Sequence, residues 1–221
     1  MEHKRKMGAL IAKARYWGAR LRTRKRFQYK GYRFEVRPDV LNPTAFRASF
    51  VFADQALFWA PRQPCRVLEL GCGSGFVSVL LSAAGHQTWA VDLDPEAIAN
   101  TQDNAIRNKQ TLSCLLSDWD QAIDPELRFD YIVSNPPFLA NEPHMLSRAL
   151  YAGPGLNVTG AMLTALARRL APGGQALVMT SSFTGREAFL ALCGEKGLAL
   201  LQSKPHTHWN ETIYLDRLVV Q

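Results

Sequence analysis

Short apolar runs alternate with stretches of helical periodicity along most of the chain. Residues 67–70, 87–91, 111–116, 131–134 and 175–180 have the length and β-branched content of buried strands. Between them, residues 76–81, 95–108, 159–171 and 185–196 read as helices, as do residues 49–60, which stop before Pro61. Pro172-Gly173-Gly174 breaks the chain before the fifth strand, and two further strand-like runs follow at 198–203 and 211–220. Strands alternating with helices predict a mostly parallel sheet covered on both faces. A chain of 221 residues with 47% hydrophobic content can bury one such core plus a modest extension.

The strand at 67–70 runs into Gly71-Cys72-Gly73-Ser74-Gly75, and the next helix starts at Phe76. Alternate glycines at a strand–helix junction permit backbone angles that a Cβ forbids, and they let a ligand lie against the main chain. The dinucleotide fingerprint G-x-G-x-x-G would need glycine at position 76, where Phe76 stands. Strand 87–91 ends at Asp92, placed to accept hydrogen bonds from ribose hydroxyls. Asp94-Pro95-Glu96 reads as the cap and first turn of the next helix. Strand 111–116 delivers Ser117-Asp118-Trp119, and strand 131–134 delivers Asn135-Pro136-Pro137-Phe138.

Glu69-x-Gly71-x-Gly73-x-Gly75 resembles motif I of the class I S-adenosylmethionine (SAM)-dependent methyltransferases, and Asn135-Pro136-Pro137-Phe138 resembles motif IV of those that alkylate planar nitrogens. The resemblance covers residues 38–221. It implies a Rossmann-like α/β fold with a seven-stranded, mostly parallel sheet and an antiparallel last strand. It also implies SAM as methyl donor, released as S-adenosylhomocysteine, with contacts from Glu69, Gly71, Cys72, Gly73, Gly75, Asp92, Leu93 and Asn135. Asp118 would take the adenine amino group and Trp119 would cover the ring. The chemistry explains motif IV. An amide or exocyclic amine has its lone pair delocalised, and two carbonyl acceptors, from the Asn135 side chain and the Pro136 main chain, can hold and aim its N–H groups. The prolines stiffen the loop, and Phe138 offers a face for stacking.

Charge is unevenly placed. Residues 1–37 carry thirteen Lys/Arg against Glu2 and Glu35, and the remainder carries a small negative balance, within a net charge of +7. The chain therefore divides into a basic arm, 1–37, and a methyltransferase domain, 38–221. In the arm Leu10, Ala14, Trp17 and Leu21 fall at helical spacing, and residues 27–34 alternate like a hairpin around Gly31. Three readings stay open for it: a helix packed on the core, a contact to RNA or ribosomal particles, and a transit or membrane-surface segment. Removing residues 1–34 is expected to leave SAM affinity unchanged and to weaken RNA binding.

Cys65, Cys72, Cys114 and Cys193 are scattered without a metal-type cluster, which suggests reduced thiols, a cytoplasmic setting and no metal. No apolar run approaches a membrane span. His206 and His208 have ligand-like spacing but no third partner in view, and read as loop residues. Thr44 and Phe46 are candidate lid residues. Tyr151 lies in Tyr151-Ala152-Gly153-Pro154-Gly155, which loosely resembles the substrate loop of HemK-type enzymes, the glutamine-amide methyltransferases of release factors; a later Asp-Gly of that loop is replaced here by Leu156-Asn157. His144 in the same loop reads as an ordinary histidine rather than a base. The expected activity is SAM-dependent N-methylation of a protein glutamine. The alternatives are adenine N6 or guanine N2 of RNA, a small molecule, or a non-catalytic SAM-binding adaptor.

Overall fold

Val67 and Leu68 point to opposite faces of one strand, and both are fully buried, so the sheet is covered on both sides. The computed structural model describes residues 25–137, 156–208 and 211–221. After a hairpin of β1 (Arg26–Tyr29) and β2 (Tyr32–Glu35) come β3 (Arg66–Leu70), β4 (Gln87–Asp92), β5 (Ser113–Leu116), β6 (Phe129–Ser134), β7 (Leu170–Ser181), β8 (Leu198–His208) and β9 (Glu211–Val220). The last seven form one sheet in the order β5-β4-β3-β6-β7-β9-β8. The pairings among β3 to β7 are parallel, and β9 runs antiparallel to both its neighbours. The sheet is thus the seven-stranded one expected.

Helices α1 (Arg47–Trp59), α2 (Phe76–Ala83) and α3 (Pro95–Arg107) contribute to one core layer, with Phe52, Val79 and Ala105 packed beside Val67, Val133 and Leu177. Helices α4 (Asn157–Arg169) and α5 (Arg186–Glu195) build the other, with Met162, Leu166 and Phe189 beside Leu68, Ile132 and Val178. Asp94 caps α3 by accepting the Glu96 amide at 2.9 Å, with Pro95 next in line, as the sequence predicts.

The chain moves outward from β3 through β4 to β5, then returns to lay β6 on the other side of β3. That reversal opens a crevice at the carboxyl ends of β3 and β6, the place where open α/β sheets bind ligands. Leu70 pairs with Ser134, and the Ser134 hydroxyl donates to the Leu70 carbonyl at 2.9 Å. The glycine loop and Asn135 are therefore neighbours across the crevice.

Two expectations need correction. His206 and His208 are not loop residues: β8 continues through them, pairing them with Ile213 and Glu211, because the β8–β9 ladder runs further than its apolar residues indicate. The hairpin around Gly31 does form, with positive φ at Lys30 and Gly31, but it is not a detachable arm. Phe34 and Val36 are 1% and 3% exposed, and Phe76, the first residue after the glycine loop, meets the rings of Phe27, Tyr29, Phe34 and Phe50 at centroid distances of 5.1–5.4 Å.

A ladder of asparagines on α3 fixes the hairpin. Asn100 accepts the Arg37 amide (3.0 Å) and donates to the Glu35 carbonyl (2.8 Å). Asn104 accepts the Glu35 amide (2.9 Å) and donates to the same carbonyl (2.8 Å). Asn108 accepts the Arg33 amide (2.8 Å) and donates to the Arg33 carbonyl (2.7 Å). Four helical residues rise about 6 Å and two strand residues about 6.6 Å, so one helix stripe can address alternate strand residues over three steps. Asn104 also donates to the Ser74 carbonyl inside the glycine loop at 2.9 Å. Removing 1–34 would therefore strip the rings of Phe27, Tyr29 and Phe34 from Phe76, directly after that loop, and the Arg33 backbone from Asn108. We expect Asn104→Ala to destabilise the fold by about 2–4 kcal/mol, since it orphans the Glu35 amide and the Ser74 carbonyl, while the Glu35 carbonyl keeps its bond from Asn100. The half-buried Asn108→Ala should cost about 1 kcal/mol, and urea unfolding of both variants checks the difference.

Candidate active site

The glycine loop turns over the tip of β4, with the Gly71 and Cys72 amides donating to the Val91 carbonyl at 2.9 and 3.0 Å. Gly71, Gly73 and Gly75 all have positive φ, 77°, 53° and 71°. The reasons for glycine differ at two of them. A Cβ on Gly75 would lie 2.7 Å from the Thr101 methyl and 2.9 Å from its Cα. A Cβ on Gly73 would meet nothing within 4 Å, so that position faces open space, as a loop that must let a ligand approach requires.

Side chains from β4 and α3 hold the loop. Asp92 accepts the Gly73 amide at 2.9 Å and the Asp94 amide at 3.0 Å. Thr101 donates to the Gly73 carbonyl at 3.2 Å, and Asn104 holds Ser74 as described. Burial pushes the Asp92 carboxyl above the ordinary range, against the opposing pull of those amide bonds. Glu69 turns inward. It is 4% exposed and accepts both the amide (2.8 Å) and the hydroxyl of Ser78 from α2. Burial pushes its carboxyl up to about 8. Glu69 thus braces the helix behind the loop.

Beyond Asp92 the site is open. Leu93 and Leu116 are 58% and 55% exposed, and Leu116 pairs with Asp92 across the β4–β5 ladder. Asp118 is exposed, touched by Gln121 at 3.5 Å. Trp119 has φ 51°, a left-handed value uncommon for an aromatic residue, and packs half-buried against the core cluster of Phe129 and Leu68. Across the crevice Pro136 is buried, Pro137 is half-buried, and the Asn135 Oδ1 is buried with no hydrogen-bond partner among the described residues. A buried carbonyl left unpaired costs about 1–3 kcal/mol, and it marks where a donor belongs. Phe46 is half-buried at the start of α1, and Thr44 donates to Asn42 one turn earlier. Phe138, His144 and Tyr151 lie outside the described residues.

Comparison with known proteins gives this geometry its class. The sequence model of the methyltransferase small domain matches residues 57–196. The release factor glutamine methyltransferase of Bordetella pertussis is 36% identical over 190 residues, covering 80% of this chain and 69% of that protein. The same-named protein of Cereibacter sphaeroides is 32% identical over 206 residues, covering 85% and 70%. Among solved structures, a T. Thermophilus 16S rRNA methyltransferase in complex with AdoMet and guanosine superposes with TM-score 0.66 at 24% identity. That match covers 86% of this chain but only 49% of the other. The E. cuniculi Mtq2–Trm112 complex gives TM-score 0.63 at 19% identity, covering 83% and 99%.

The chain belongs to the methyltransferase small-domain family. It is a SAM-dependent methyltransferase, and the crevice fits that donor: an open glycine loop, an acid at the tip of β4, and exposed apolar side chains beside it.

Several residues that shape this site escaped the sequence reading. Thr101 and Asn104 lie on a helix read only for its span and its Asp94 cap, although Asn100, Asn104 and Asn108 at four-residue spacing form a visible polar stripe. Ser78 stands inside an apolar run and gives no signal of its own. The Glu69 environment makes a prediction about pH. Its folded pKa lies above the unfolded 4.5, so the stabilisation is complete below about pH 4.5 and is lost as pH rises toward about 8. Relative to Glu69→Gln, the unfolding free energy of the wild type should fall by on the order of 1 kcal/mol per pH unit across that window, read by urea denaturation.

Proposed function

We propose that this protein methylates a planar nitrogen, and that its acceptor is the side-chain amide of a protein glutamine. The observation that carries the proposal is the buried Asn135 Oδ1, which has no hydrogen-bond partner among the described residues. The curated relatives named release factor glutamine methyltransferase support the choice of acceptor.

A glutamine amide nitrogen is planar and weakly nucleophilic. Asn135 accepts one of its N–H groups through Oδ1, and the Pro136 carbonyl accepts the other. Holding both protons turns the nitrogen toward the donor and favours the more pyramidal, positively charged arrangement reached as the new bond forms. Bound SAM supplies an electrophilic methyl on a sulfonium centre. Gly73 and its neighbours would hold SAM along the main chain, Asp92 would accept hydrogen bonds from the ribose hydroxyls, and Leu93, Asp118 and Trp119 would hold the adenine. An alkylated amide sheds its extra proton readily, so the site needs no strong base. Four free cysteines, one of them bonded to His86, accord with a reducing, cytoplasmic compartment. Among the described residues no helix is long and apolar enough to cross a membrane, and no His/Cys/Asp/Glu group could hold a metal.

Labelled SAM incubated with a methylation-deficient cell extract tests the acceptor. Label removed by protease and kept after RNase supports the protein amide; label removed by RNase alone defeats it. Asn135→Ala should lower the single-turnover rate by about 100-fold or more while leaving SAM affinity within about threefold, because Asn135 acts on the acceptor as it reacts.

The charge of the N-terminal segment favours a second role beside the first, docking on RNA or a ribosomal particle. Residues 1–24 carry eight Lys/Arg against Glu2. The cut belongs before Lys25, where the packed hairpin begins. Removing 1–24 should weaken RNA binding at low salt by about tenfold or more and flatten the dependence of log K on log salt. Unchanged RNA affinity in a filter-binding titration would end the docking role.

A further inference from the structure

Between β5 and β6 the chain crosses twelve residues, 117–128, without regular structure, and this segment presents Asp118 and Trp119. One arginine gathers it. Arg169, at the last turn of α4, is 4% exposed. Its Nε donates to the Asp120 carboxylate at 2.6 Å. Its Nη2 donates to the carbonyls of Asp120 and Ile123, each at 3.1 Å, and its Nη1 to that of Asp124 at 2.6 Å. Arg168 adds a second pair to Asp120, which is itself 1% exposed. The near end of the segment is pinned separately: the Ser117 amide donates to the Asp92 carbonyl at 2.9 Å, and the Ser117 hydroxyl accepts the Ala122 amide at 3.0 Å.

Asp118 and Trp119 are thus bracketed by two fixed residues, Ser117 and Asp120. Among the described residues Asp118 has only the weak Gln121 contact to steady its side chain, so its direction follows from the backbone, and the backbone at Trp119 is left-handed. A residue in that region persists only where its surroundings over-determine it. We infer that Arg169, through Asp120, is a positioning residue for adenine recognition, fixing Asp118 where it can accept the 6-amino group. The inference rests on the assignment of Asp118 to adenine.

The test uses the full-length protein and two ligands in calorimetric titrations: S-adenosylhomocysteine and its purine riboside analogue, which lacks the 6-amino group. A hydrogen bond to a carboxylate contributes about 1.5–3 kcal/mol, so the wild type should prefer the amino-bearing ligand by about tenfold or more. Arg169→Lys keeps a positive charge for Asp120 but loses the fork that spans three carbonyls. It should cut the preference to about threefold or less. Asp120→Asn preserves shape without charge; it should reduce the preference in the same direction and serves if Arg169→Lys does not fold. Asp118→Ala should abolish the preference without loss of thermal stability. If Asp118→Ala loses it while Arg169→Lys and Asp120→Asn keep the full wild-type ratio, the pair is merely structural and the inference is overturned. If Asp118→Ala keeps the ratio, the adenine assignment fails and the inference falls with it.

Discussion

The glycine loop is the constraint on which the rest of this structure depends. Three residues with positive φ in five positions form a segment with little preference for one shape, because glycine loses the most backbone freedom on folding. It is held from outside. Asp92 takes the Gly73 amide, Thr101 the Gly73 carbonyl, Asn104 the Ser74 carbonyl, and Glu69 locks the helix that follows through Ser78. Each tether is a buried or half-buried hydrogen bond from regular secondary structure, so the loop acquires the rigidity of its neighbours while keeping its open side bare.

The N-terminal hairpin extends the same principle. The asparagine stripe of α3 offers amides and carbonyls to β2 much as an adjacent strand would, and the aromatic residues of the hairpin close around Phe76. Asn104 binds the hairpin and the glycine loop with one side chain, so the two are mechanically joined. The basic residues preceding Lys25 are therefore continuous in sequence with the element that braces the glycine loop.

At Asn135 the arrangement is reversed. The glycine loop is satisfied in advance, whereas the Asn135 carbonyl is left buried without a partner among the described residues. Desolvation of one acceptor is tolerated because the sheet and the two prolines fix the surrounding backbone. In the proposed reaction it is relieved when a planar N–H group arrives, which would tie recognition to the chemistry that such a nitrogen undergoes.

Sequence alone was enough for the order of strands and helices, the glycine loop, Asp92 at a strand tip, the Asp94 cap and the position of Asn135. These are local signals: hydrophobic period, turn chemistry, and the residue that ends a strand. Tertiary structure alone decided what bonds to what across long separations. Asn108 reaches Arg33 over 75 positions and Arg169 reaches Asp120 over 49. Glu69 turns inward because both faces of its strand are covered and Ser78 waits there. The β8 strand runs on through His206 and His208 because β9 supplies a ladder that their polar sequence does not announce. Periodicity encodes which face of an element is buried, but not which distant backbone group that face will meet; the order of strands in the sheet makes that choice.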